Sequence, residues 1–406
     1  MEKLFETQRL ILEQFDPNKI YHRLCYNKLT LDNFGTGIVG QRGVGKTTWL
    51  LLQALKQGAR ERKALYVSAD NLFFVENRLL DLADWLYKET AVKFLFIDEI
   101  HKYPNWVQEL KNIFDIYKNL RIVFSGSSAI DIIHSKYDLS RRVTLHTLNG
   151  LSFREYLEYY LDIKLPVYTL SNIINHHLEL AQEQTISQIL KYFREYLRTG
   201  YYPFFKLLTQ DQEKYQAIEN TAQKTIYEDI GTLHKIHSTN LVIIEKIFKY
   251  VVSSSPGELN THKLSQYLGK DFETIDNYLK YLHEAGLIKF LYSNKKGKGI
   301  LNKPIKMYPD NTNLIYANYF LPQTSDDTLG KIRETFIVNS LQNAGHPVFY
   351  GEVGDFKCND YHFEVGGKNK KITQLKSEKN GYVIADDILT GTGKSIIPIY
   401  LFGFLS

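Results

Sequence analysis

The sequence predicts an α/β protein whose first part is a parallel sheet with a helical lid, followed by two smaller modules. Three observations predict it. A short apolar run, Thr36-Gly37-Ile38-Val39, passes through a glycine-rich turn into a helical run over residues 48–57 carrying Leu50, Leu51, Leu52, Ala54 and Leu55. Two further runs, Phe94-Leu95-Phe96-Ile97 and Arg121-Ile122-Val123-Phe124, each end in polar side chains. Buried parallel strands read as continuous apolar runs and deliver their terminal side chains to one edge of the sheet.

The turn after the first strand, Gly40-Gln41-Arg42-Gly43-Val44-Gly45-Lys46-Thr47, fits GxxxxGK[ST] at every fixed position. Glycines let successive backbone N–H groups point inward at phosphate oxygens, and the positive end of the following helix adds to the attraction. The binding set expected is Gly40, Gln41, Arg42, Gly43, Val44, Gly45, Lys46, Thr47 and Thr48, with Lys46 reaching the β and γ oxygens. Thr47 is placed to give its hydroxyl to Mg²⁺. The second strand ends in Asp98-Glu99, about fifty residues on, an interval that accommodates intervening βα units. Asp98 is expected to support the Mg²⁺ shell, and Glu99 to polarise the water that attacks the γ-phosphate.

The third strand ends in Ser125-Gly126-Ser127-Ser128. Ser125 or Ser127 is placed either to orient the attacking water or sense the γ-phosphate, or to cap the next helix. Arg141 and Arg142 precede the alternating run Val143-Thr144-Leu145-His146. Arg142 is a candidate finger acting on a neighbouring subunit's nucleotide, or a cation complementing a helix C-terminus. A guanine-reading Asn-Lys-x-Asp element is missing, since Asn294-Lys295-Lys296-Gly297 lacks the aspartate, so ATP is the expected nucleotide.

Together GQRGVGKTT, FLFIDEIHKYPNW, FSGSSA and the later LRTGYYPFF resemble the prokaryotic AAA-type ATPases fused to a winged helix and a restriction-endonuclease-like C-terminal domain. The resemblance spans nearly the whole chain. It implies Lys46 and Thr47 as nucleotide and metal contacts, Asp98 and Glu99 as the Mg²⁺-supporting and catalytic carboxylates, and Arg142 as the better finger candidate. The organisation expected is a P-loop core over 1–150, a helical lid over 151–235, a winged helix over 236–322 and a nuclease-like α/β domain over 323–406.

Residues 153–161 and 170–197 read as lid helices, broken at Gly200-Tyr201-Tyr202-Pro203, with Arg198 either a second nucleotide sensor or a solvated helix-end cation. Residues 241–252, 262–268 and 272–285 read as three helices ahead of a strand over 287–292, the order of a winged helix. In the third, Ile275, Tyr278, Leu279 and Leu282 form one apolar face. Its other face mixes Thr274, Asn277, Lys280 and Tyr281 with Asp271, Glu273 and Asp276, which phosphate would repel. Lys295, Lys296, Lys298, Lys303 and Lys306 follow on the expected wing, where they suit either double-stranded DNA or solubility. A protein partner is the other reading.

After the polar stretch 321–327 comes a helix with Glu334, then Asp355, then Phe363-Glu364-Val365 in a strand. Carboxylates so arranged hold Mg²⁺ in restriction-type nucleases. The accompanying Glu-x-Lys reads Glu364-Val365-Gly366, and Lys368 would sit about 13 Å away along an extended strand, so a degenerate version is expected. Residues 396–405 read as a buried strand, and His176-His177 as surface or packing side chains.

A chain of 406 residues exceeds the size of one core. Fifty Lys and Arg against 45 Asp and Glu leave +5, too little to demand a polyanionic partner. Cys25 and Cys358 form neither a disulfide framework nor a zinc motif. With no apolar signal core after Met1 and no membrane-length apolar run, a reducing cytoplasm is the expected compartment and a membrane is not an expected partner. A homo-oligomer is left open by the finger reading of Arg142.

Overall fold

Five parallel strands, in the order β2-β3-β4-β1-β5, form the first sheet of the computed structural model. The structure describes residues 1–406 except 32–34, 127–138, 140, 255–260, 295–303, 319–324, 377 and 406. The chain divides into two compact units, Met1–Gly150 and Leu151–Ser406.

In the first unit the order is α1 (Glu2–Gln14), β1 (Gly35–Val39), α2 (Lys46–Lys56), β2 (Ala64–Ser68), α3 (Leu79–Glu89), β3 (Phe94–Asp98), α4 (Trp106–Ile116), β4 (Arg121–Gly126) and β5 (Val143–Thr147). Side chains alternate across a strand. Leu65, Val67, Leu95, Ile97, Ile122 and Phe124 therefore share one face, where they are buried with residues of α1, α3 and α4. The intervening residues Tyr66, Phe96, Asp98, Val123 and Ser125 belong to the opposite face, and α2 packs on β2, β3 and β4. Period-two alternation thus selects which polar strand-end residues share a face.

β2 is an edge strand, and the side chain of Gln8 closes its outer rim. Gln8 Nε2 donates to the carbonyls of Ala59 (2.8 Å) and Ala64 (3.3 Å), while its Oε1 accepts from the Tyr66 N–H (2.5 Å). A buried amide with both donor and acceptor satisfies strand groups that an edge would otherwise leave open.

The second unit begins with α5 (Phe153–Leu161), held at its start by a reciprocal Ser152/Glu155 cap. The expected helix over 170–197 is two, α6 (Leu170–Gln182) and α7 (Ile189–Glu195), and α6 is kinked at His176. Between them Gln184 takes the Ile186 N–H (2.9 Å), so a side chain replaces the helical acceptor. Beyond α7 a π turn, Tyr196–Gly200, puts Gly200 against Tyr156, where a Cβ would lie 2.7 Å from the ring. Then follow α8 (Asp211–Lys224), α9 (Ser238–Ser253), α10 (Thr261–Leu268), α11 (Phe272–Glu284), and the antiparallel pair β6 (Ile288–Leu291) and β7 (Lys306–Pro309). Next come α12 (Thr312–Asn318) and α13 (Asp326–Asn343). The boundaries expected at 235/236 and 322/323 fall inside this unit.

A mixed sheet completes the chain: β8 (Val348–Tyr350), β9 (Phe356–Cys358), β10 (Tyr361–Gly366), β11 (Gly381–Ala385) and β12 (Ile396–Pro398), in the order β12-β11-β10-β9-β8. The strand expected over 396–405 stops at Pro398, which has no N–H for the ladder, and the chain turns into a fully buried 3₁₀ segment, Ile399–Phe404. Its Phe404 packs on Phe153 and Tyr168.

Replacing Gln8 by Leu strands the buried Tyr66 N–H and takes a donor from the Ala64 and Ala59 carbonyls, of which Ala59 keeps the Arg62 N–H. The expected loss is about 3 kcal/mol, read as a fall in the urea midpoint of the transition that reports the first unit. An unchanged midpoint would show that the edge does not need Gln8.

Candidate functional site

The glycine-rich turn occupies the carboxyl end of β1, where the chain must reverse into α2. Gly45 caps the helix at φ +101°, in the left-handed region where a Cβ is strained. At Gly40 a Cβ would lie 2.1 Å from the Leu148 carbonyl oxygen, so only glycine fits. Lys46 is buried and donates to the carbonyls of Gly40 (2.8 Å) and Gln41 (2.7 Å). Gln41, Arg42, Gly43, Val44 and Gly45 complete the turn, and Thr47 and Thr48 stand in the first turn of α2, Thr47 exposed.

Arg23, which no motif in the chain marks, pins this turn. Its buried guanidinium donates to the carbonyls of Val44 (3.4 Å), Asn149 (2.7 Å) and Gly150 (2.9 Å).

The strand order places β4 between β1 and β3, and one side chain bridges that gap. Asp98, buried at the end of β3, accepts from Thr47 Oγ1 (2.7 Å), from Tyr66 Oη (2.9 Å) and from Ser125 Oγ. Three hydroxyl donors, from α2, β2 and β4, therefore hold one carboxylate. Ser125 Oγ also accepts the Glu99 N–H (3.0 Å), so this residue ties β4 to Asp98 at the end of β3 and to Glu99 just beyond it. Burial, and then the neighbouring Asp98 charge, raises the Tyr66 phenol above its usual range and keeps it a donor. Tyr66 shares the α2-covered face of the sheet with Phe96, Asp98 and Ser125, but strand parity alone does not pair it with Asp98.

Glu99 follows with φ +52°, a left-handed backbone that turns its side chain out of strand register. Its Oε2 pairs with Lys102 Nζ at 2.7 Å, and the same ammonium reaches Asp70 Oδ2 at 3.0 Å. Burial works against the Lys102 charge, but the hydrogen bonds to Glu99 and Asp70 outweigh it and raise the ammonium above its ordinary range.

Other expected residues lie elsewhere. Arg142 forms a forked pair with Asp115 of α4 (Nε 3.0 Å and Nη2 2.7 Å to Oδ1), an exposed pair of small energetic weight. Arg198 belongs to the second unit, where it hydrogen-bonds Tyr316. Ser127, Lys295, Lys296, Lys298 and Lys303 lie outside the described residues. Lys306, expected on an exposed wing, is a β7 residue whose mostly buried ammonium faces Glu334 at 3.6 Å. On α11, Lys280 is paired with Asp276 (3.1 Å), and Asp271 caps the helix through the Thr274 N–H (2.8 Å).

In the second unit the three expected carboxylates occupy α13, the β8–β9 turn and β10. Tyr308 Oη donates to Glu334 Oε2 (2.6 Å), and Asp355 Oδ2 accepts the Val365 N–H (2.8 Å). The Glu364 carboxylate pairs with the ammonium of Lys370, while Lys368 is exposed. A Cβ on Gly366 would lie 2.7 Å from the Lys370 side chain, so the glycine makes room for the lysine to fold back over the strand. Extended-strand spacing missed this because the chain turns at Gly366-Gly367.

Burial raises the Glu334 carboxyl, and the nearby Asp355 charge raises it further; burial likewise raises Glu364 against the opposing pull of Lys370. A raised folded value means that the stabilising, protonated form is fully present below the ordinary value of 4.5 and is lost as pH rises through the folded one. Glu334→Gln is therefore expected to raise the thermal midpoint at pH 7 and to converge on the wild type near pH 4. Midpoints that differ equally at both pH values would refute the assignment.

Residues 33–157 match a family model described as a AAA domain, and residues 190–318 match a domain of unknown function (DUF8612). The chain is 30% identical over 274 residues to the uncharacterized protein MJ1637 of Methanocaldococcus jannaschii, which takes in 63% of this chain and 56% of that relative, little more than half its length. A second uncharacterized protein of that organism, MJ1544, is 23% identical over 357 residues, 84% of this chain and 74% of the relative. Among solved structures, the Walker-type ATPase PABY2304 of Pyrococcus abyssi aligns over 74% of this chain and 96% of its own at 11% identity, with a TM-score of 0.45 that is too low to equate the two folds. The parallel sheet, the turn after β1 and the AAA domain match together support a P-loop fold of AAA type in the N-terminal part of the chain.

Proposed function

We propose that the chain binds ATP with Mg²⁺ and hydrolyses it, and that nucleotide state is passed to the second unit, which contacts DNA or protein. The observation that carries this reading is the 2.7 Å bond from Thr47 Oγ1 to Asp98 Oδ2, which joins the phosphate-binding turn to the acidic end of β3. The hydroxyl spends its proton on Asp98 and keeps its lone pairs for a cation. Two hard oxygen groups suit Mg²⁺, which takes one or two protein ligands and completes its shell with water and phosphate oxygens. Among the described residues no cluster of three or more His, Cys, Asp or Glu side chains is placed to hold a metal on protein groups alone. When bound, the ion neutralises charge on the β and γ oxygens.

In this reading the Lys46 ammonium leaves the Gly40 and Gln41 carbonyls for the β and γ oxygens of the nucleotide. Glu99 takes a proton from water as the water oxygen bonds to the γ-phosphorus; the bond from that phosphorus to the β–γ bridging oxygen breaks, and ADP departs. Ser125 holds Glu99 and Asp98 in mutual register. Arg142 as a finger in trans requires a second copy and release from Asp115. Residues 236–322 fit a winged helix by element order, and the pairing of Lys280 with Asp276 weighs toward a protein contact there over a phosphate one.

Steady-state ATPase activity of wild type, Lys46→Ala and Glu99→Gln tests the reading. Turnover is expected in the wild type, with Lys46→Ala losing binding and Glu99→Gln losing about 10²-fold or more in kcat while retaining nucleotide. Tight binding without turnover in the wild type would replace hydrolysis by a nucleotide-gated binding module. Stimulation by double-stranded DNA would assign the partner, and a rate rising with protein concentration would place Arg142 in trans.

A further inference from the structure

The end of β3 and the end of β2 share one cation. We infer that Lys102 is a positioning residue for the hydrolytic step: it engages Glu99 Oε2 and Asp70 Oδ2 together, and so presents Glu99 Oε1 to the attacking water. This inference rests on the hydrolysis reading and adds a residue to it.

Several constraints converge on that geometry. The Glu99 backbone is fixed by its N–H to Ser125 Oγ (3.0 Å), and its carbonyl accepts the Lys102 N–H (2.9 Å), so both side chains leave a single 3₁₀ turn, Ile100–Lys102. On the far side Asp70 accepts from Ser68 Oγ (2.5 Å), and the Ser68 hydroxyl and the Lys102 ammonium both hold it ionised below the usual carboxylate range. Glu99 is half-buried, its side chain 22% exposed, whereas Lys102 stands at the exposed rim, so the carboxylate is sheltered while the ammonium that holds it keeps contact with solvent. A carboxylate has two oxygens and needs only one to accept a proton. An ammonium on Oε2 leaves the rotation of the group settled before substrate arrives, and a small misplacement of a reacting group is costly in rate.

The test is steady-state ATPase kinetics of the full chain for wild type, Lys102→Met, Lys102→Arg, Glu99→Gln and Lys102→Met/Glu99→Gln, with binding of a fluorescent ATP analogue measured alongside. Lys102→Met is expected to lower kcat about tenfold and to leave KM within about twofold. Analogue binding should be kept, Lys102→Arg should recover most of the rate, and the double variant should fall no further than Glu99→Gln alone. An unchanged or increased kcat, a further tenfold loss in the Glu99→Gln background, or loss of analogue binding in both Lys102 variants would overturn the inference. If the wild type turns over and Glu99→Gln does not, those outcomes reject Lys102 alone; a wild type without turnover rejects hydrolysis and Lys102 with it.

Discussion

The first unit is organised around the Asp98 carboxylate. Four elements meet there: β3 supplies the acid, and α2, β2 and β4 supply the hydroxyls of Thr47, Tyr66 and Ser125. A buried carboxylate needs hydrogen-bond donors on both oxygens, and a network in which every member is satisfied is also rigid. Because β4 separates β1 from β3 in the sheet, the phosphate-binding turn and the acidic strand end have no direct ladder between them. The side-chain bond from Thr47 to Asp98 supplies that connection.

The second unit solves its polar burial differently. Buried Lys331 of α13 donates to the carbonyls of Val251, Val252 and Ser254 at the end of α9, capping a helix C-terminus with an amine whose pKa burial pushes down to about 7. Arg154 and Glu158, both almost fully buried, pair along α5 at 2.8 Å. Asn313 threads its amide into the π turn, donating to the Tyr196 and Leu197 carbonyls and accepting the Tyr201 N–H. A π turn leaves backbone groups out of helical register, and the amide takes up three of them.

Much of the nucleotide turn was legible because its chemistry is local. Gly40, Gly45, Lys46 and Thr47 occupy fixed positions in a strand-turn-helix, and apolar runs mark the strands that flank it. What was not legible depends on contacts remote in sequence. Arg23 meets Val44 and Gly150, Gln8 meets Tyr66, and Tyr66 meets Asp98; none of these pairs has a spacing rule. Lys370 was missed for a different reason. Reach along an extended strand holds only while the strand continues, and Gly366-Gly367 ends it. The short β12 shows a proline overriding an apolar run, where hydrophobicity alone fits strand and 3₁₀ segment equally.

Arg23 has a mechanical consequence. A guanidinium is flat, and its donors cannot be redirected independently. It holds Val44 in the glycine-rich turn and Asn149 and Gly150 at the close of the first unit on one rigid plane. Backbone positions more than a hundred residues apart in sequence are thus tied to one flat group by a route that does not cross the sheet.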